Sequence, residues 1–144
     1  MPLQPQTMPT NRFQRTRDDH SREKAEDYVE LIDSLIKESG EARAVDLADV
    51  LGISHVTVSK TVQRLQREGY VKSQPYRSIF LTEKGTELAQ SARIRHALVH
   101  DFLIALGVDE ENAEADAEGI EHHVSSQTLD AMKQFLDKCG KLKS

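Results

Sequence analysis

The residues best suited to chemistry lie close together near the carboxyl end of the sequence. Glu118, Glu121 and His122 occupy positions i, i+3 and i+4, which share one face of a helix. Carboxylates this close repel each other, and a divalent cation removes the repulsion while it takes the imidazole as a third ligand. Gly119 disfavours a helix interior by about 1 kcal/mol relative to alanine, which indicates a close approach by another group there. The pattern predicts a metal site on this helix.

Two earlier segments offer further ligands of the same kind. Asp27 and Glu30 share one face of the first helix, while His96 lies on a long helix with His100 one turn later. Taken singly, each has a simpler interpretation, because acids favour the start of a helix and a lone histidine is more often structural. The sequence does not show whether the three helices converge, so the full ligand set stays open at this point.

The composition of the 144 residues is that of a folded protein, with 38% hydrophobic and 30% charged residues. No apolar run approaches the ~20 residues of a membrane span, and the polar amino-terminal segment does not look like a secretory signal peptide. The only cysteine, Cys139, excludes an intramolecular disulfide and nearly excludes thiolate ligation of a metal. We expect a cytoplasmic protein without a membrane partner.

Charge is distributed unevenly along the chain, although the net charge is −5. Residues 51–100 contain eight Lys or Arg and three acids, whereas residues 101–144 contain four Lys and ten acids. A basic segment suits phosphates, and an acidic segment suits cations or a solvated surface. The two segments are therefore expected to face different partners.

Hydrophobic periodicity predicts three helices in the first half of the chain. Apolar residues recur at three- and four-residue spacing over about 23–40, and a short second helix follows over about 45–51. Ser54 is suited to cap a third helix, which ends at Gly69. Residues 1–21 show no such period and contain three prolines, which predicts a flexible arm.

The second half is predicted to hold a small hairpin and three helices. Two β-prone runs within residues 70–81 flank a turn near Pro75. A long helix capped by Thr82 follows, and its expected inward positions are Leu88, Ala92, Leu98, Phe102 and Leu103. Two further helices, over about 109–123 and 126–138, complete the chain.

Two short helices joined at a glycine, Gly52, and followed by a hairpin are the elements of a winged helix-turn-helix. The turn sets the helices at a steep angle, so that the second enters the ~12 Å major groove while the first braces it. The expected DNA contacts are the outward side chains of the third helix and one wing residue: Ser54, His55, Thr57, Lys60, Thr61, Arg64 and Arg77. A small domain with a polar exterior is the simpler interpretation, but the order of the elements and the polar first turn of the third helix favour DNA binding.

The fold class that follows is mainly α, with an N-terminal winged helix-turn-helix domain and a C-terminal helical dimerisation and metal-binding domain. The expected boundaries are 1–21 for the flexible arm, 22–82 for the DNA-binding domain and 83–144 for the dimerisation and metal-sensing domain. The last helix carries an apolar stripe that is too large to leave in water, formed by Leu129, Met132, Phe135 and Leu136.

With these motifs in place, the sequence resembles the manganese transport regulators, the manganese-sensing branch of the diphtheria toxin repressor family. The resemblance covers about residues 26–137. It rests on EDYVE at 26–30, SHVTVSK at 54–60, YRSIFLT at 76–82, RH at 95–96 and GIEHH at 119–123, preceded by Glu118.

This resemblance implies a site for two Mn²⁺ ions per chain. The implied ligands are Asp27, Glu30, His96, Glu118, Glu121 and His122. Iron-sensing relatives place sulfur side chains where this chain has Asp27 and Glu121, and a hard set of oxygen and nitrogen ligands favours Mn²⁺.

The function implied is that of a manganese-dependent transcriptional repressor of metal transport genes, which binds a palindromic operator in double-stranded DNA as a homodimer. The alternatives are the same repressor sensing Fe²⁺ or Zn²⁺, a winged-helix repressor with another signal, and a di-metal carboxylate enzyme. Such enzymes carry Glu-x-x-His on paired helices, whereas the residue three after Glu118 is Glu121. We therefore expect no enzymatic activity.

Overall fold

The computed structural model describes residues 8–74 and 77–143. In chain order these residues form α1 (Met8–Ser39), α2 (Ala44–Leu51), α3 (His55–Arg67), β1 (Val71–Lys72), β2 (Phe80–Leu81), α4 (Glu83–Leu106), α5 (Glu110–Ile120) and α6 (Ser126–Lys143). The expectation of a mainly helical chain with one hairpin is confirmed. Among the helices described, none is both long and apolar enough to span a membrane.

The first helix is longer than the sequence pattern predicts. Residues 8–21, expected to be part of a flexible arm, form the beginning of α1, and residues 1–7 lie outside the described residues. Pro9 falls in the first turn, where a helix does not need its missing N–H. Gln14 accepts from Arg17 and donates to Asp18, each at 3.0 Å, so side-chain pairs support this stretch of the helix.

A tight turn at Gly52 joins the second and third helices. Gly52 has a φ of 68°, the left-handed conformation that favours glycine, and its N–H donates to the Ala48 carbonyl. The Ser54 Oγ then accepts from the Thr57 N–H at 3.2 Å and caps α3 as expected. Below the turn, Leu47 and Val58 are fully buried. The core of this domain therefore holds α3 in place and leaves its polar face outward.

The hairpin is short and packs against the same core. Val71 pairs with Leu81 in an antiparallel sheet, and the Ile79 N–H donates to the Ala42 carbonyl at 2.7 Å. Ile79 is buried, so the wing is anchored to the segment before α2. The turn expected at Pro75 lies outside the described residues.

The long helix α4 packs against α1, α5 and α6. Thr82 caps it, accepting from the Gly85 N–H at 3.1 Å, and Asp109 caps α5 in the same way. Small side chains make the contact close: Ala89, Ala92, Ala113 and Ala117 are buried. Of the inward positions expected on α4, Ala92 is buried, whereas Leu88, Leu98, Phe102 and Leu103 are half-buried. Ala89 and Val99 are fully buried residues of α4 that the periodicity missed.

An ion pair ties the first helix to the fourth. Asp33 on α1 accepts a short hydrogen bond from Arg93 on α4 and contacts Lys37 at 3.0 Å. Burial by itself would raise the pKa of Asp33, but the hydrogen bonds from Arg93 and Lys37 outweigh it and lower the pKa. The pair therefore fixes α1 against α4 while Asp33 stays ionised.

Gly85→Ala is expected to destabilise the protein strongly. A Cβ at this position would lie 2.1 Å from the Tyr70 carbonyl oxygen, so backbone on one side must move. We expect the free energy of unfolding to fall by about 3 kcal/mol, measured by urea denaturation of metal-free protein at a fixed protein concentration.

Gly119→Ala is the matched control within α5. Apart from the neighbouring residues and backbone of its own helix, no atom of the described residues lies within 4 Å of the position that its Cβ would take, so no other part of the described chain makes the close approach expected at Gly119. Alanine favours a helix, and this variant should gain up to about 1 kcal/mol. Equal stability of the Gly85 variant and the wild type would contradict the close packing of α4 against Tyr70.

Candidate metal centre and nucleic-acid interface

The residues predicted as metal ligands come together where α1, α4 and the end of α5 meet. At one end of the cluster, the Nδ1 atom of His96 on α4 lies 2.8 Å from Glu121 Oε2 and 3.6 Å from Glu118 Oε1. His96 and Glu121 are far apart in the sequence. They come into contact because the chain turns at Gly107 and α4 and α5 pack side by side. These three side chains share one candidate cation position.

At the other end, His122 faces the first helix. Its Nε2 atom lies 3.1 Å from Asp27 Oδ1 and 3.3 Å from Glu121 Oε1. Glu121 therefore points one oxygen toward each histidine. His122 and Glu121 are both almost completely buried, with 2% and 1% of their surfaces exposed.

Glu30 on α1 completes the cluster. Burial raises the pKa of its carboxyl, and the negative charges of Glu118 and Asp27 raise it further. The same carboxyl feels the charges of both His96 and His122. Glu30 thus interacts electrostatically with every other predicted ligand. Among the contacts described, no hydrogen bond or ion pair joins it to them.

Several oxygen and nitrogen atoms in this cluster are suited to coordinate a cation. Glu30 Oε1 is buried and has no hydrogen-bond partner within the described ranges, and the buried His96 Nδ1 and Glu121 Oε2 atoms face each other at 2.8 Å without a well-formed hydrogen bond. Buried polar atoms without partners are costly, so each calls for a ligand. Carboxylate oxygens and imidazole nitrogens are the ligands that hard and borderline divalent cations take.

A surrounding layer of charged residues was missed by the sequence analysis. The fully buried Glu26 lies 2.5 Å from the outer nitrogen, Nδ1, of His122, and Arg95 Nη2 lies 2.6 Å from the other oxygen of Glu26. Glu114 Oε1 lies 2.8 Å from His96 Nε2. Such contacts fix the orientation of a ligating imidazole. Glu114 precedes Glu118 by one helical turn, a spacing that indicates its position, whereas no comparable signal marks Glu26.

His100 does not join the central cluster. Its Nε2 atom lies 2.9 Å from Glu110, and its Nδ1 atom lies 3.1 Å from Asp101. These contacts are near the surface, at the end of α4 that lies away from His122. Of the two histidines considered on α4, His96 is the one placed among the predicted ligands.

The ionisation of the central residues follows from burial and charge. Burial raises the pKa of the Glu121 carboxyl to about 7, and the neighbouring charge of Glu30 adds to the effect. At His122, burial lowers the pKa, but the hydrogen bonds to Asp27 and Glu26 outweigh it and raise the pKa to about 10. Without a cation, the cluster therefore retains protons that it would lose in water at neutral pH.

These pKa values predict how the stability of metal-free protein depends on pH. The folded state binds the Glu121 proton more tightly than the unfolded chain, so that contribution is complete below the unfolded pKa of 4.5 and is lost as the pH rises through about 7. The contribution of His122 is complete below 6.5 and is lost toward about pH 10. Stability should therefore fall as the pH rises from about 5 to about 8.

The test compares Glu121→Gln with wild type in urea denaturation across this pH range. Glutamine has no proton to lose, so the decline between about pH 5 and about pH 7 should become shallower. Glu87→Gln, an equal change at an exposed position on α4, should keep the wild-type slope. An unchanged slope in Glu121→Gln would mean that Glu121 does not titrate as its burial implies.

The predicted DNA contacts lie mostly on the exposed side of α3 and on the wing. Ser54, His55, Thr57, Lys60 and Arg77 are exposed, and Thr61 is half-buried. A cleft of about 680 Å³ separates α3 from the wing. Polar side chains that the sequence analysis did not select also line it: Arg43, Ser59, Gln63, Gln66, Ser73 and Gln74. Ser59 and Gln63 follow His55 at four-residue steps, which is the signal that marks them as part of the same face.

Arg64 differs from the other predicted DNA contacts. Its guanidinium donates to the Oγ and carbonyl oxygen of Ser21 on α1, each at 3.3 Å, and lies 3.8 Å from Glu68. The side chain is half-buried against α1 rather than extended from α3. It connects the helix that carries Asp27 to the helix predicted to enter the major groove.

Comparison with protein families matches both parts of the chain. The family model described as the iron dependent repressor N-terminal DNA binding domain matches residues 20–79. The model described as the iron dependent repressor metal binding and dimerisation domain matches residues 82–141.

Individual relatives show the same similarity. The transcriptional regulator MntR of Escherichia coli O6:H1 is 52% identical over 128 residues, which cover 89% of this chain and 83% of that protein. The HTH-type transcriptional regulator MntR of Geobacillus kaustophilus is 44% identical over 111 residues, covering 77% of this chain and 79% of that protein.

Among solved structures, a manganese-dependent transcriptional repressor in complex with manganese is similar, with a TM-score of 0.69 and 27% identity over 78% of this chain. ScaR with bound Zn²⁺ gives a TM-score of 0.69 and 25% identity over the same share. The chain matches about half the length of these two structures, 52% and 53%.

Proposed function

This chain belongs to the iron-dependent repressor family, and we propose that it is a manganese-dependent transcriptional repressor that controls metal transport genes. It is a DNA-binding regulator and not an enzyme. The observation that carries the choice of signal is the cluster of oxygen and nitrogen ligands contributed by α1, α4 and the end of α5, where Glu30 Oε1 is buried without a hydrogen-bond partner among the described residues. This hard ligand set favours Mn²⁺ over cations that prefer sulfur.

Two ions per chain are proposed because the ligands divide into two groups that share Glu121. At one end, His96, Glu118 and Glu121 offer atoms within 4.8 Å of one another. At the other end, His122 Nε2 faces Asp27 and the second oxygen of Glu121. Glu30 feels the charges of residues in both groups, so it is placed to serve either ion.

Metal binding is coupled to DNA binding because the ligands come from both matched domains. Asp27 and Glu30 lie within the DNA-binding match, and the other predicted ligands lie within the dimerisation match. A bound divalent cation supplies the positive charge that lets these carboxylates lie together while ionised. The contact between Arg64 and Ser21 then carries the position of α1 to α3. The carboxylates thereby hold α3 at a defined position relative to α4.

The DNA partner is proposed to be a palindromic operator. A two-fold dimer presents two copies of α3, and half-sites one helical turn apart match that symmetry. A regulator of transcription acts where the chromosome lies, so we place the protein in the cytoplasm. The manganese-dependent repressor in complex with manganese supports Mn²⁺ as the signal over the alternative, which is sensing of Fe²⁺ or Zn²⁺ by the same ligands.

Titration of metal-stripped protein with Mn²⁺, with free ion followed by electron paramagnetic resonance, tests the sensor. The wild type should take up about two ions per chain, and Glu121→Ala should weaken both by at least about tenfold, because Glu121 faces both histidines. Glu87→Ala is the matched control on α4. Competition by Fe²⁺ or Zn²⁺ identifies the preferred ion, and absence of uptake by the wild type would remove the proposed signal.

Lys60→Ala is expected to weaken DNA binding without changing sequence preference. Its exposed ammonium on α3 is placed to contact phosphate, so affinity for every duplex should fall and the slope of log affinity against log salt should decrease by about 1. Gel shifts with a duplex selected from a random pool in the presence of Mn²⁺ measure both. Lys133→Ala on α6 should behave as wild type. An unchanged salt slope in the Lys60 variant would show that this residue makes no phosphate contact.

A further inference from the structure

Glu23 lies on α1 one helical turn before Asp27. The spacing of four residues puts both carboxylates on one face of the helix. One oxygen of Glu23 is within 4.8 Å of the ligand atoms of Asp27 and His122. The Glu23 side chain is 31% exposed, so it borders the cluster on the solvent side.

The turn of α1 that carries Glu23 is fixed against the end of α5. Arg22 donates to the His122 carbonyl oxygen at 3.1 Å, and Glu23 Oε2 lies 3.2 Å from His123 Nε2. The ring of His20 meets the ring of His123 edge-on, with centroids 6.3 Å apart. These contacts hold the Glu23 carboxylate beside His122 rather than leaving it to extend into water.

The position that Glu23 borders is built from buried ligands. His122 Nε2 already faces one oxygen from Asp27 and one from Glu121, both within 3.3 Å. Glu121 is 1% exposed, and its other oxygen, Oε2, faces His96 at 2.8 Å, so Oε1 is the atom that it offers at this position. Hard divalent cations take about six ligands, so a position with three protein atoms has room for another carboxylate oxygen.

We propose that Glu23 is a further ligand of the cation held by Asp27 and His122. The coordination then extends one turn toward the amino end of α1, outside the ligand set that the sequence analysis selected. The inference rests on the proposed function, since it assigns a residue to the same metal site. It also gives residues 20–23 a role in linking the first helix to the α5–α6 segment.

The test is a Mn²⁺ titration of Glu23→Gln, followed by electron paramagnetic resonance as for the wild type. Glutamine keeps the size of the side chain and removes the charge, so affinity for one of the two ions should fall by about tenfold while the other is unchanged. Glu38→Gln, an equal change on an exposed part of α1 about 22 Å along the axis, is the matched control and should bind as wild type.

Two further measurements separate ligation from other roles. A ligand keeps its effect at high salt, so the difference between Glu23→Gln and wild type should persist from about 0.1 M to about 0.5 M NaCl, where a long-range charge effect is screened. His123→Ala removes the pair with Glu23 but not the proposed ligand, and it should retain wild-type affinity. Circular dichroism confirms that each variant is folded.

The outcomes distinguish this inference from the proposed function. Failure of the wild type to bind Mn²⁺ overturns both. Uptake of two ions by the wild type with equal affinity in Glu23→Gln and Glu38→Gln overturns the role of Glu23 and leaves the sensor intact. Equal losses in Glu23→Gln and His123→Ala, or a loss that disappears at high salt, also overturn it, because the residue would then act through the ion pair or through its charge.

Discussion

The burial of like charges is the constraint on which the rest of the structure depends. Glu121 is removed from water between two imidazoles, with Glu30 and Glu118 near enough to oppose its ionisation. A buried carboxylate needs a proton, a cationic partner or a metal ion. The arrangement of α1, α4 and α5 at this point is therefore conditional on what neutralises the cluster. A sensor needs this property, because a fully satisfied core would give a cation nothing to change.

The long first helix connects the charge state of this cluster to α3 and to the core of the winged helix. α1 contributes predicted ligands to the cluster, pairs with α4 through Asp33 and Arg93, and contacts α3 through Ser21 and Arg64. It also packs its apolar side into the core of the winged helix, where Ile32 is fully buried. A shift of α1 relative to α4 cannot be absorbed within the helix itself. It is passed to the surface predicted to meet DNA.

Local signals in the sequence predicted the elements well, and they predicted the centre only in part. Ser54, Thr82 and Gly52 act through bonds to residues a few positions away, so their roles as caps and turn are legible in the sequence. The spacing of Glu118, Glu121 and His122 likewise marks one helix face. Glu26 gave no such signal, because its position depends on Arg95 and His122, which are distant in the chain. The same holds for Arg64, whose polarity suggested a surface role although it packs against α1.

The sequence analysis did not predict the start of the first helix or the inward face of the fourth helix correctly, for a different reason. Residues 8–21 lack an apolar period in the sequence, and periodicity reports packing rather than helix formation. On α4 the sequence favoured Leu98 over Val99 as a core residue. Ala113 and Ala117 of the neighbouring helix α5 are buried, and small side chains of this kind let two helices approach closely, where a shorter side chain fits.

The unbroken length of α4 has a mechanical consequence. The helix begins beside the wing at Thr82 and reaches His96 about 20 Å further on, with no proline or interior break to bend it. It therefore moves as one rigid rod when it rotates about the cluster of predicted ligands. A rotation of only about 3° there displaces the wing by about 1 Å, a distance that decides whether a hydrogen bond to a base or phosphate forms. Small changes in the distances between the predicted ligands are therefore amplified at the wing. A large rearrangement is not needed to change the contacts with DNA.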